Sequence, residues 1–254
     1  MIEETIIILD EFSEHVDSLD LTDLEIKGVL DLKKFKNLIK LDCSSNEITK
    51  IINLPKTLEE LDCSYNEIKR FQKIPSKLSK IYCSNNNIKS LNNLESDNLI
   101  YIDCSHNQID NLDNLPNSLS ELDCSWNKLK YLDNLPENLK KLNCYNNQIK
   151  LLDNLPNIII SLDCSNNKLT ELNNLPMNLL YLKCSDNLIT HLDNLPKKLS
   201  YIDCNNNKIV RIDISENLER ISCIGNNIRI INKSPNNLKL DETQSDDNIK
   251  NLFL

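Results

Sequence analysis

The stretch LSELDCSWNKL at residues 119–129 spaces Leu119, Leu122, Cys124 and Leu129 as an apolar frame around Asn127. Outward in both directions the frame returns about every twenty residues, the mark of a repeat architecture. Leu58, Leu61, Cys63, Asn66 and Ile68 reproduce it. All ten cysteines of the chain fall in it, at Cys43, Cys63, Cys83, Cys104, Cys124, Cys144, Cys164, Cys184, Cys204 and Cys223. An asparagine stands three residues after each, at Asn46, Asn66, Asn86, Asn107, Asn127, Asn147, Asn167, Asn187, Asn207 and Asn226.

Apolar residues alternate through the Leu-x-Cys core with a period of two, so each unit predicts one short parallel strand. Its fourth and sixth positions point inward, and its third, fifth and seventh point outward. Most units continue Asn-Leu-Pro, as at Asn114, Leu115 and Pro116 or Asn194, Leu195 and Pro196. So short a turn leaves no room for a regular helix on the return path. Pro55, Pro75, Pro116, Pro136, Pro156, Pro176 and Pro196 favour an extended or polyproline-like course there. The asparagine column reads as an inward amide that bonds the backbone of its own and the adjacent turn. The cysteine column reads as a reduced, buried apolar filler. No C-x-x-C pair offers a zinc site, and no cysteine is left over to staple either end, so a reducing compartment is expected.

The full frame, Leu-x-x-Leu-x-Cys-x-x-Asn-x-Leu/Ile, resembles the leucine-rich-repeat signature with Cys in the third apolar slot. The resemblance covers roughly residues 36 to 240. The Asn-Leu-Pro half is similar to the short bacterial repeat subtype found in secreted effectors. Cys-containing repeats of this style also resemble proteins of amoebae and of the large DNA viruses that infect them. What this implies is a leucine-rich-repeat solenoid, with one parallel β-sheet on the concave face and extended or polyproline-like return segments on the convex face. The expected organisation is an N-terminal cap and degenerate first repeat over 1–35, repeats over 36–240, and an acidic C-terminal tail over 241–254.

Irregularities fall at the ends and on the return side. Ile2, Ile6, Leu9, Phe12 and Val16 lie at helical spacing, while the run Ile6 to Leu9 reads equally as a strand. Leu19, Leu21, Leu24 and Ile26 read as the degenerate first repeat, and a last strand is expected near Leu238 to Leu240. Glu95, Ser96 and Asp97 replace the Pro turn with one extra residue, and the unit around Ile212 to Asn217 is one short.

A net charge of -9 repels phosphate backbones and anionic headgroups, so neither nucleic acid nor membrane is an expected partner. A protein with a basic patch is. The apolar run Ile6 to Leu9 is flanked by Glu3, Glu4, Asp10 and Glu11, unlike a signal peptide, and no segment has the length of a membrane span. The expectation is a cytoplasmic monomer without a cofactor. His15, His106 and His191 are scattered, with no nucleophile or second histidine beside any of them. Cys184, Ser185 and Asp186 resemble the C-x-D motif of bacterial ubiquitin ligases that carry this repeat subtype. In those proteins the motif lies in a separate helical domain, whereas Cys184 takes the inward sixth position.

Two outward columns remain. Asp42, Asp62, Asp103, Asp123, Asp163 and Asp203 occupy the fifth position, interrupted by Tyr82, Asn143 and Lys183. Such a row reads either as a cation site or as acceptors for nearby Ser hydroxyls and backbone N–H groups. Tyr101, Tyr181 and Tyr201 take the third position, Tyr82 the fifth, Tyr145 the seventh, and Tyr65 and Trp126 the eighth. Exposed Tyr and Trp supply large contact area at low entropy cost. A partner is therefore expected to touch Tyr65, Tyr82, Tyr101, Asp103, Asp123, Trp126, Tyr181, Lys183, Tyr201 and Asp203. Two functions fit this pattern: a non-enzymatic scaffold for protein–protein interaction, or the substrate-recognition arm of a ubiquitin-ligase-type or pathogen effector system whose enzyme is another chain.

Overall fold

The computed structural model describes residues 12–92, 94, 96–232 and 238–240, together with the backbone of 6–7. The chain forms two compact units, Met1–Lys128 and Leu129–Leu254. Each is a parallel β-solenoid, and among the described residues there is no helix.

In the first unit the main sheet is built from Ser18–Asp20, Lys40–Asp42, Glu60–Asp62, Lys80–Tyr82, Tyr101–Asp103 and Glu121–Asp123, each parallel to the next. In the second it is built from Lys141–Asn143, Ser161–Asp163, Tyr181–Lys183, Tyr201–Asp203, Arg220–Ser222 and Lys239–Leu240. Equivalent repeat positions face one another, as Leu41 faces Leu61 and Leu182 faces Ile202. A one-residue slip would turn every inward Leu or Ile to solvent, and burial of each is worth roughly 2 kcal/mol, so the register is strongly fixed.

The asparagine column closes each turn. The Asn66 side-chain oxygen accepts the Ile48 N–H at 2.9 Å, and its amide donates to the carbonyls of Cys43, Cys63 and Ser64 at 3.0–3.1 Å. Asn86, Asn107 and Asn127 repeat the pattern in the first unit, and Asn167, Asn187 and Asn207 in the second. On the return side the Leu58 N–H donates to the Pro55 carbonyl at 3.1 Å, and the same tight turn recurs after Pro75, Pro116, Pro136, Pro156, Pro176 and Pro196. In the two units of irregular length a buried serine replaces the proline. Leu99 N–H donates to Ser96 at 3.2 Å and Leu218 N–H to Ser215 at 3.1 Å, so the return loop absorbs the change.

Two short sheets add to the main one. Ile6–Ile7, Lys27–Asp31 and Glu47–Ile52 pair in the first unit, and His191–Leu192, Arg211–Asp213 and Ile230–Asn232 in the second. They form where β-branched residues such as Val29, Ile48, Thr49, Ile51, Ile212 and Ile231 crowd the return segment. Elsewhere the segment joins no sheet, and with or without these strands the asparagine before Leu-Pro adopts a left-handed conformation, with φ 57° at Asn53, 61° at Asn114 and 56° at Asn194.

At the amino end the strand reading prevails over the helical one, because Ile6 and Ile7 pair with Val29 and Leu30. Leu19, Leu21 and Ile26 are buried as a first repeat. Leu24 departs from it: it occupies the asparagine position and is exposed, while its N–H donates to Asn46 at 3.1 Å. The acidic stretch 241–254 lies outside the described residues.

All ten cysteines are buried, and none forms a disulfide. Several thiols donate to the fifth-position carbonyl of the following strand, Cys104 to Asp123 at 3.2 Å and Cys83 to Asp103 at 3.2 Å. Burial pushes the Cys63, Cys83, Cys104, Cys164, Cys184 and Cys204 thiols well above their ordinary range. Thiolate is the reactive species. A maleimide or disulfide reagent in native buffer is therefore expected to label these groups only as fast as the chain unfolds, with full labelling in denaturant. Rapid native labelling of most of them would refute the packed column.

Candidate functional site

The strands of the main sheets carry Tyr82, Tyr101, Asp103 and Asp123 in the first unit and Tyr181, Lys183, Tyr201 and Asp203 in the second, while Tyr65 and Trp126 lie past the strand ends at a left-handed corner. In the first unit Tyr82 and Tyr101 lie on neighbouring strands with ring centroids 5.0 Å apart. Burial, and then the Asp103 charge, pushes the Tyr101 phenol up to about 12, so it stays a neutral donor at physiological pH. Lys40 and Glu60 pair at 2.9 Å on the same face, an exposed contact of small energetic weight.

The aspartates of the fifth position are acceptors for the chain itself. Asp103 takes the Ser105 N–H at 3.0 Å, and Asp123 takes the Ser125 N–H at 2.9 Å and hydroxyl at 2.6 Å. Asn143 does the same for the Tyr145 N–H at 3.1 Å, so the role needs a side-chain oxygen and not a charge. Among the described residues no group of His, Cys, Asp and Glu is arranged to hold a metal ion.

Burial is the leading cause that raises the Asp103 and Asp203 carboxyls above the ordinary value, against opposing hydrogen bonds from Ser105 and Asn205. A carboxyl raised in the folded state contributes stability that is complete below its unfolded pKa and is lost as pH climbs through its folded pKa. Asp103→Asn keeps the acceptor and removes that loss. Its urea midpoint should equal or exceed that of the parent at pH 7, with the difference vanishing below the ordinary carboxylate range. A clear drop at pH 7 would mean that the charge itself holds the turn.

The eighth position holds what sequence reasoning missed. Its backbone is left-handed in every repeat from Ser45 to Asn206, with φ between 51° and 56°. In the second unit the residues there are Asn146, Asn166, Asp186 and Asn206, types that tolerate this region. In the first unit Asn85 and His106 are types that tolerate it too, beside Ser45, whereas for Tyr65 and Trp126 it costs roughly 1 kcal/mol more. His106 and Trp126 stack with centroids 4.9 Å apart and planes 13° from parallel. Trp126 is 45% exposed and Tyr65 60%. The signal for His106 was its spacing, one repeat before Trp126.

In the second unit Tyr181 and Tyr201 face each other in register, as do Lys183 and Asp203. Lys183 forms its ion pair with Asp163 instead, at 3.8 Å. Tyr181 is exposed and Tyr201 half-buried. Cys184 is fully buried with its thiol raised, the opposite of an activated nucleophile. A return-side cavity of about 550 Å³ is lined by Lys197, Asp213, Ser215 and Glu216 among others, with neither histidine nor cysteine in its wall.

Repeats that pair position for position, each closed by an inward asparagine, settle the architecture. The fold is that of leucine-rich-repeat proteins. No protein-family model matches the sequence, and no curated protein matches it either. Solved structures do. The functional domain of InlJ from Listeria monocytogenes, which includes a cysteine ladder, is 30% identical, with a TM-score of 0.64 over 82% of this chain and 53% of that one. YopM from Yersinia pestis, a leucine-rich effector protein, is 25% identical, with a TM-score of 0.66 over 89% of this chain and 82% of that one. YopM from Yersinia enterocolitica WA-314 is 28% identical, with a TM-score of 0.49 over 81% and 59%. The chain thus spans little more than half of the InlJ domain and about three fifths of the latter YopM.

The two units differ in charge. The first carries 23 of the 38 acidic residues but only 14 of the 29 basic ones, so the whole net charge of -9 resides in it.

Proposed function

We propose that this protein is a non-enzymatic scaffold that binds a protein partner on the outward, concave face of its main sheets. The observation that carries this reading is the in-register pair Tyr181 and Tyr201, large aromatic groups held on a rigid sheet and reachable from solvent. No histidine stands beside an activated nucleophile in the described residues, and the aspartates serve the backbone. The acidic first unit favours a partner with a basic patch, and the reduced thiols favour the cytoplasm as its compartment. Nucleic acid and anionic membranes are disfavoured by the same charge.

Likeness to YopM, an effector, supports a second reading within the same class, a substrate-recognition arm whose enzyme is a separate chain. Both readings are tested by affinity capture with the intact chain and its Tyr181→Ala, Tyr201→Ala double variant. A partner must be retained by the first, lost by the second, and then bind the purified intact chain directly. A ubiquitin-ligase subunit in that set would favour the second reading.

A further inference from the structure

We propose that the left-handed corner of the first unit, with Tyr65, His106 and Trp126, is a seat for arginine side chains of a basic protein segment. The inference deepens the scaffold reading and rests on it. Its first support is conformational. The corner needs φ near +55° in every repeat, the second unit meets that need with Asn146, Asn166, Asp186 and Asn206, and the first unit, beside Ser45, Asn85 and His106, places Tyr65 and Trp126 there at a cost in stability. Side chains kept against local preference mark places where function outweighs stability.

The second support is the rings' geometry. His106 and Trp126 stack nearly parallel at 4.9 Å, each covering one face of the other, and Trp126 still keeps almost half of its surface in solvent, so the pair extends a ring stack towards solvent. Planar guanidinium adds to a ring stack better than the compact ammonium of lysine does. The third is charge. Asp103 and Asp123 precede His106 and Trp126 by three residues in the same repeats, on the unit that holds the entire net negative charge. Their hydrogen bonds to Ser105 and Ser125 run through Oδ1 and keep both carboxylates on this side of the turn, where the summed negative field of the unit draws a cation.

The chain contains one tryptophan, so Trp126 emission reports on the seat directly. The probes are three peptides of equal length: alternating Gly and Arg, alternating Gly and Lys, and alternating Gly and Ser. The Arg peptide should quench or shift Trp126 emission and bind more tightly than the Lys peptide, while the Ser peptide should do nothing. In calorimetry Trp126→Asn and His106→Asn should each weaken the Arg peptide about tenfold or more. Their melting midpoints should be equal to or above the parent's, since asparagine suits this backbone.

Equal binding of Arg and Lys peptides, or undiminished binding by Trp126→Asn, would reduce the effect to diffuse attraction and overturn the seat. A melting midpoint several degrees lower in Trp126→Asn would make the row structural and overturn it as well. The probe is a peptide and the variants lie in the first unit, so loss of partner capture by the Tyr181, Tyr201 variant is a separate outcome that bears on the scaffold reading alone.

Discussion

Replacing Asn127 by alanine is expected to destabilise the protein by about 2–3 kcal/mol. The side chain makes four bonds that nothing else can supply. Its oxygen accepts the Ile109 N–H at 2.9 Å, and its amide donates to the carbonyls of Cys104, Cys124 and Ser125 at 3.0–3.1 Å. At 9% exposure the site offers little room for water to take the amide's place. Alanine leaves the Ile109 N–H without an acceptor, and an orphaned buried donor costs more than the average hydrogen bond contributes.

Asn226 makes the same set of bonds, to Ile209, Cys204, Cys223 and Ile224, the last stretched to 3.3 Å. It is only half-buried, so solvent can repair the backbone after truncation. Asn226→Ala should therefore cost about 1 kcal/mol or less. Urea unfolding followed by Trp126 fluorescence and by circular dichroism measures both. Equal losses at the two sites would contradict the dependence on burial.

The same bonds explain why the fold was legible. An inward amide must recur wherever a turn leaves the strand, and a thiol-sized filler must recur where strands stack, so Asn66 and Cys63 announce the architecture once each repeat is aligned. Ser96 and Ser215 were legible only as faults in spacing, because the turn they close is defined by a backbone carbonyl, which any residue carries. The strand Glu47–Ile52 was not foreseen, since its run of Ile and Thr serves a buried return segment as well as a sheet.

The corner at the eighth position was less legible still. Asn85, Asn146, Asn166 and Asn206 favour a left-handed backbone, but Tyr65 and Trp126 in the same column dilute that preference. Aromatics that conflict with their backbone look, in sequence, like ordinary strand residues. Only the dihedral angles separate the third-position tyrosines, at ease on a strand, from Tyr65 and Trp126 at the eighth position, held against preference.

The other large effect is expected in binding. Tyr181 and Tyr201 lie opposite each other on adjacent parallel strands, while Leu182 and Ile202, next in sequence, are fully buried and hold the sheet in place. Truncating either tyrosine removes contact area from the outward face without opening the core. Each change should cost roughly 2 kcal/mol of partner binding, about thirtyfold in affinity, with folding stability shifted by less than about 0.5 kcal/mol. The double variant should lose less than or up to the sum, because residues this close share the contacts they lose. Neutralising Asp103 and Asp123 should act differently, slowing association with a basic partner and flattening its salt dependence while leaving dissociation nearly unchanged. Lys150→Ala, exposed on the return side, should do neither. Association and dissociation rates measured by surface plasmon resonance for the captured partner separate these effects. If Lys150→Ala weakened binding while the tyrosine variants bound as the parent does, the partner would be docking on the return side and the outward face would lose its assigned role.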